Sequence, residues 1–460
     1  MLASLLLAMT VSPPAPCLPV PSKPQIAWHR AEYTAFCHFG PNTFTGEEWG
    51  HGTEDPKMFN PVNFDARQWA KAFKDAGMTG IIITAKHHDG FCLWPSKQSK
   101  HTVRESGWRN GTGDVLKELS QACKEFKLKF GVYVSPWDRN HPAYGTPEYN
   151  RVFAETLKEV LTNYGPIHEV WFDGANGEGP NGRKQIYDWP LFHSIVRKYQ
   201  PNAVMFSDAG PGVRWVGNED GYAGETCWAM IQGKRYVPGT PHYKELTEGS
   251  ENGEDWIPAE CDVSIRPGWF WKASQDKEVK SVEKLMDIWY GSVGRNGHLL
   301  LNVPPNNKGL ISDVDVKRLM EFKAARQQAM PADLGLRQSA SSADSRGSGF
   351  EVERVCDGKI NTYFAAKDDA LSAQIMLDFA RPTSVNIVSL SEYIPLGQRV
   401  KRFEIDAFNG SWKTVARGTT IGNKRILRFA PTEVKRLRVR ILDSRACPTI
   451  SSFEAYSSRP

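Results

Sequence analysis

The stretch Glu169-Val-Trp-Phe-Asp173-Gly-Ala-Asn-Gly-Glu-Gly179 decides how this chain is read. It opens as a short apolar strand and breaks into a glycine-rich turn, with one carboxylate at the break. Aspartate is depleted in strand interiors, so Asp173 directly after Val-Trp-Phe marks where a strand ends and a functional loop begins. A carboxylate there, flanked by aromatic rings, suits the mouth of a barrel.

The pattern extends outward from that segment in both directions. Strand-like runs occupy 33–39, 80–85, 130–134, 169–172, 203–207, 260–265 and 298–303. Between them, 65–76, 114–126, 146–164, 187–199 and 279–293 carry apolar residues at helical spacing, with Asp65 and Asp114 placed as N-caps. Strand–helix alternation on this scale predicts an α/β fold, a (β/α)8-like TIM barrel rather than an open doubly wound sheet. Seven strands are visible, so the expected barrel is irregular. Polar residues gather just after the strands: His38, His87-His88-Asp89, the run from Tyr133 to Asp138, and Asp173. In such a barrel the C-terminal strand ends carry the site, so four separate segments converge on one mouth.

Those segments carry a resemblance. Trp171-Phe172-Asp173-Gly174 resembles the nucleophile segment of the retaining α-L-fucosidases of glycoside hydrolase family 29. The resemblance implies Asp173 as nucleophile. Gly217-Asn218-Glu219 is similar to the acid/base segment of the branch selective for α-1,3/1,4 linkages, which implies Glu219 as acid/base, with Glu225 as the alternative. A retaining glycosidase needs such a pair, one ionised and one protonated. His38, Glu47-Glu48-Trp49, His87-His88 and Tyr133 match the family's fucose-pocket segments. Trp271 is the candidate platform for the sugar ring or methyl group, with Trp269 as the alternative, and Arg214 is expected to assist near the acid/base loop. Each also has a plainer reading: Asp173 as a turn cap, Glu219 and Glu225 as solvated loop carboxylates, the histidines and tryptophans as core. The implied partners are fucosylated oligosaccharides or glycoconjugates ending in branched, Lewis-type structures. No organic cofactor and no catalytic metal is implied.

Composition bounds the class. At 460 residues two domains are the natural expectation. Charged residues are 24% and apolar residues 40%, a globular balance that argues against disorder. The formal charge of +5 is too small to indicate a polyanion partner, so nucleic acid is not expected. Fifteen Trp and 14 Tyr suit sugar faces as well as large cores. The opening Met1-Leu-Ala-Ser-Leu-Leu-Leu-Ala-Met-Thr-Val11 is too short for a membrane span and about right for a signal-peptide core, although no basic residue precedes Lys23. The expected division is 1–22 signal peptide, 23–332 barrel and 333–460 second domain, in an exported (periplasmic or secreted) protein.

The second domain reads as an all-β sandwich. A linker is expected near 329–334, followed by the Ser-rich 338–343; period-two patterns then occupy 373–379, 385–390, 401–407 and 436–441. Val355-Cys-Asp-Gly358, Asn361-Thr-Tyr-Phe364 and the closing 450–456 resemble the coagulation factor 5/8 type C (discoidin-like) module, which implies carbohydrate binding and leaves room for a structural Ca²⁺ near Asp357 and Glu454. Arg436, Arg438 and Arg440 alternate with Leu437, Val439 and Ile441, the pattern of a solvated strand face without interleaved stacking aromatics. Cys37, Cys92 and Cys261 read as buried thiols, and Cys356 and Cys447 as candidates for pairing in an oxidising compartment.

Two rivals belong to other classes. His38, His87, His88 and Asp173 would suit a metal-dependent barrel hydrolase. Against it, a His-x-His on the first strand is absent, and an extended His87-His88 would point its rings to opposite faces. A catalytically inactive glycan-binding protein is the other, and it would require loss of carboxylates that are present.

Overall fold

The computed structural model describes residues 11–239 and 243–458. Most of the signal-like opening, residues 1–10, lies outside the described residues. Residues 11–22 run along the C-terminal domain, where Cys17 N–H donates to Leu396 O and Arg399 Nη2 to Ala15 O.

Eight parallel strands close a barrel in sequential order: β1 Tyr33–Cys37, β2 Gly80–Lys86, β3 Lys129–Val134, β4 Glu169–Trp171, β5 Val204–Ser207, β6 Val213–Trp215, β7 Ala259–Ser264 and β8 His298–Asn302. The eighth strand escaped the sequence pattern because β6 has only three residues and is joined to β5 by the short turn 208–212 instead of a helix. The five expected helices form as Ala66–Asp75, Val115–Glu125, Pro147–Asn163, Trp189–Tyr199 and Val282–Gly291. Asp65 and Asp114 cap the first two through side-chain bonds to Arg67 N–H, Gln68 N–H and Lys117 N–H, each cap worth about 1 kcal/mol. A further helix, Asp313–Ala329, covers the β8 side.

Alternation along the strands sorts the side chains into two cores. Ala35, Ile81, Ile83, Val132, Val170, Phe172, Leu299 and Leu301 pack outward under the helices. Phe36, Ile82, Tyr133, Trp171, Phe206 and Leu300 point inward and fill the barrel's middle. One step below them lie Glu169, Glu260 and His298, all buried, and the short helix Lys23–His29 plugs that end with Trp28 stacked on His298 at 4.5 Å. One step above lie His38 and Asn302, and just beyond the ends of β4 and β5, Asp173 and Asp208. The period-two pattern that fills the core therefore also delivers polar groups to the mouth.

The C-terminal domain is an antiparallel sheet wrapped around its own apolar core. Of the Ser-rich stretch after the linker, Ser339–Ser341 is an edge strand paired with Ala373–Glu392. The runs 373–379 and 385–390 are one 20-residue strand whose register shifts at two places. Leu437, Val439 and Ile441 do point inward, but the arginines opposite them are engaged: Arg438 and Arg440 donate to Asp406, and Arg436 and Arg438 lie over Phe408 and Trp412 of neighbouring strands. Cys356 and Cys447 do not pair; Cys356 Sγ faces Gln338 O, and Cys447 Sγ accepts from Arg399. Asp357 accepts from Thr362 and Lys359, and Glu454 from Tyr456. Among the described residues neither belongs to a group of three or more His, Cys, Asp or Glu side chains placed to hold a metal ion.

The two domains meet across polar contacts. Ala229 N–H donates to Gln398 Oε1, Cys227 N–H to Thr420 Oγ1, and Asn423 N–H to Asn296 Oδ1. The C-terminal domain thus holds the chain just after the 217–225 loop. No helix among the described residues is long and apolar enough to cross a membrane.

Candidate active site

A cavity of about 400 Å³ opens at the C-terminal ends of the barrel strands, the size range of a small-molecule site. Its floor is aromatic, formed by Phe36, Tyr133, Trp171 and Phe206, with Trp171 and Phe206 stacked at 3.8 Å. Polar groups face one another across that floor.

Asp173 leaves β4 with both oxygens engaged. Tyr133 Oη donates to Oδ2 at 2.9 Å and Ala175 N–H to Oδ1 at 2.7 Å, which fixes the carboxylate in one orientation. The next residue must be small: a Cβ on Gly174 would lie 2.5 Å from Asp208 Oδ1. His88 Nδ1 donates to Ser135 Oγ, whose own hydroxyl donates to Trp137 O. Its Nε2 is therefore an acceptor, 3.8 Å from Asp173 Oδ2 and too far for a direct bond. That gap suits a ligand hydroxyl. His38 donates through Nδ1 to Asn302 Oδ1 at 2.9 Å, which also accepts the His38 backbone N–H. Burial pushes His38 down to about 3 and His88 to about 4, and lowers His87 as well. At neutral pH all three are uncharged imidazoles, hydrogen-bonding groups rather than cations.

Glu219 faces the same cavity from the 217–225 loop. Burial, offset by a 3.2 Å bond from Trp269 Nε1 and reinforced by the charge of Asp173, holds its carboxyl above the ordinary carboxylate range. Trp269 is the indole that serves the site: its ring tilts over His38 at 4.9 Å, and its carbonyl accepts from Asn302. Glu48 does not line the cavity. It accepts from Trp269 N–H at 2.7 Å and pairs with Lys272, so it anchors the Trp269 segment, and a Cβ on Gly268 would collide with it at 2.2 Å. Trp49 stands at the mouth, 55% exposed, edge-on to His88.

Other expectations are corrected by position. Arg214 is fully buried in β6 and donates to the carbonyls of Leu246, Ile257 and Trp228, so it ties loops together and does not reach the cavity. Trp271 lies outside the cavity, beneath Arg266, and Trp269 takes its expected place. Glu225 is also outside, paired with Arg295 and Arg425. His87 and His88 do not splay: the strand ends at Lys86, and their rings lie 4.2 Å apart, both on the cavity. No group of three or more His, Cys, Asp or Glu side chains among the described residues is arranged to hold a metal.

Two further carboxylates line the cavity that the sequence reading passed over. Asp208 follows β5 as Asp173 follows β4; burial pushes it up to about 6, against a 2.7 Å bond from Gly239 N–H. The same strand-end rule would have found it. Asp262 sits inside β7, and burial holds its carboxyl well above the ordinary range. Embedded in Glu260-Cys-Asp-Val, it carried no turn to advertise it.

Of the four carboxyls that line the cavity, Asp173 is locked by two donors and Glu219 faces it, desolvated, from a separate loop; such a pair is what glycoside cleavage needs, and with the fold it places the chain among the barrel glycoside hydrolases. Comparison with known proteins is more specific. The α-L-fucosidase profile matches residues 21–324 and the F5/8 type C domain profile residues 338–453. Alpha-L-fucosidase 1 of Arabidopsis thaliana is 43% identical, over 97% of this chain and 89% of its own. Among solved structures, a glycoside hydrolase 29 family member from a rumen bacterium aligns with a TM-score of 0.85 at 40% identity, over 97% of this chain and 78% of that one. A family 29 fucosidase of Ruminococcus gnavus, solved in complex with fucose, aligns with a TM-score of 0.90 at 33% identity over 97% of each chain. The chain belongs to the α-L-fucosidases of glycoside hydrolase family 29 and carries a C-terminal F5/8 type C domain; its activity is that of an α-L-fucosidase.

Proposed function

We propose that this α-L-fucosidase is an exported, retaining exo-enzyme that removes terminal α-1,3/1,4-linked L-fucose from branched, Lewis-type glycans. The observation that carries the mechanism is the unequal treatment of Asp173 and Glu219 among the carboxyls of the cavity. Asp173, oriented by Tyr133 and Ala175, attacks the anomeric carbon. Glu219, whose carboxyl burial raises above the ordinary range, gives its proton to the departing oxygen. The resulting glycosyl ester is then cleaved by water that Glu219, now a base, deprotonates.

The cavity, set at the closed end of the barrel mouth, has room for a terminal sugar, which supports exo cleavage. His38, His87, His88 and Tyr133 meet the hydroxyls of that sugar, and the floor of Trp171 and Phe206 meets its C–H face. Trp49 and Tyr243, both more than half exposed at the mouth, are placed for the rest of the glycan. The linkage preference rests on the likeness of Gly217-Asn218-Glu219 to the α-1,3/1,4 branch, and export on the apolar opening of the chain. The chemistry is proposed to need neither metal nor organic cofactor.

The test is fucose release from a Lewis-type trisaccharide, an α-1,2-fucosylated disaccharide and an aryl α-fucoside, with the first-formed anomer followed by NMR. Release from the trisaccharide with α-fucose appearing first supports the reading. β-Fucose appearing first would replace retention with inversion, and preference for the disaccharide would remove the linkage assignment.

A further inference from the structure

Beneath the cavity floor the barrel interior holds two buried carboxyls that the proposed chemistry does not use. Glu169 on β4 and Glu260 on β7 point inward on the tier below Trp171, at 1% and 0% exposure. Trp28 Nε1 donates to Glu169 Oε2 and Trp171 Nε1 to Glu260 Oε1, both at 2.8 Å. The remaining oxygens, Glu169 Oε1 and Glu260 Oε2, are buried and receive no donor from any other side chain. The two carboxyl groups are neighbours inside the barrel, each felt by the other.

The surroundings supply little compensation. Lys129 at the start of β3 is the cation felt by Glu169, and its Nζ already donates to Ala27 O. His298 on β8 and His168 before β4 are held neutral by burial, as is His29 on the plugging helix. Asp262, two residues along β7, adds a further acid. Two anions at this spot would be desolvated and mutually repelled, whereas one proton between them satisfies both free oxygens. Burial accordingly raises both carboxyls above the ordinary range.

We propose that Glu169 and Glu260 hold one proton between them and that this bridged pair positions Trp171, the cavity floor. Trp171 stacks on Tyr133 at 5.2 Å, and Tyr133 orients Asp173. Glu169 and Glu260 are thus positioning residues, and their effect on turnover rests on the proposed reading of the cavity.

Two measurements test this on the full-length protein. The first is thermal unfolding from about pH 5 to 8. The folded pair keeps a proton that the unfolded chain releases above the usual carboxyl range, so native stability falls as pH rises through that window. Glu260→Gln replaces the shared proton with a permanent amide donor and keeps an acceptor for Trp171. It should flatten that slope, and Glu169→Gln should do the same. Identical slopes in wild type and both variants would overturn the shared proton.

The second measurement is hydrolysis of an aryl α-fucoside across pH. Glu260→Leu should raise KM roughly tenfold or more, while Glu260→Gln restores it and holds kcat/KM to higher pH than wild type. Equal KM in the Leu and Gln variants would overturn the positioning role. If wild type releases no fucose at all, the cavity reading fails, and the unfolding slopes still decide the proton.

Discussion

Glu219 and Glu225 stand in one loop, and the loop treats them in opposite ways. Glu219 turns into the cavity, where Trp269 is its hydrogen-bond donor and burial disfavours its charge. Glu225 turns toward the C-terminal domain, 68% exposed, gripped by Arg295 and by Arg425, which is itself only 4% exposed. Identical side chains a few residues apart are thus sorted by what faces them. A carboxyl desolvated without a cation holds its proton more tightly and is available for chemistry; one met by arginines is a brace. The C-terminal sheet repeats the second case at Asp406, which burial would push up but which Arg440, Thr414 and Arg438 hold below the ordinary range.

The contrast can be broken at several points. The largest effect is expected at Asp173→Ala, which removes the attacking group and should leave no turnover of either aryl or natural fucosides; a rate near wild type would take Asp173 out of the chemistry. Tyr133→Phe keeps the ring that packs on Trp171 but deletes the donor to Asp173. A hydrogen bond to a charged group is worth about 1.5–3 kcal/mol, so kcat/KM should fall roughly ten- to a hundredfold in steady-state assays. Glu225→Ala should act on stability instead: leaving Arg425 buried without its acid costs about 1–2 kcal/mol in denaturant unfolding, with kcat/KM little changed. The smallest effect is at Trp269→Phe. The indole N–H favours the charged form of Glu219, so its loss should raise the Glu219 pKa and move the alkaline limb of kcat/KM upward, by less than about one pH unit. A downward shift would mean that Trp269 does not act through Glu219.

Much of the barrel was legible in the sequence, because apolar strands and amphipathic helices alternate with regular spacing and Asp caps announce two of the helices. The strand β6 was hidden by its length and by the missing helix before it. Within the site, residues at strand ends, such as His38 and Asp173, were visible because a polar residue after an apolar run is conspicuous. Asp262 was not, since it lies inside a strand and only the closed barrel shows that it points inward. Arg214 and Trp271 misled for the same reason: the strand and loop that carry them turn their side chains away from the cavity. Glu225 stood as the alternative to Glu219, because its partner Arg425 lies two hundred residues later in the chain and only the fold brings it to face the carboxylate.

The most direct measurement compares Glu219→Ala and Glu225→Ala on two substrates, an aryl α-fucoside with a good leaving group and a Lewis-type trisaccharide. Loss of a general acid costs about 10²–10⁴-fold where the leaving group needs protonation and far less where it does not. Glu219→Ala should therefore lose the trisaccharide while sparing the aryl fucoside, and Glu225→Ala should leave the ratio of the two rates at its wild-type value. A leaving-group-dependent loss in Glu225→Ala, with none in Glu219→Ala, would contradict the division of labour within the loop.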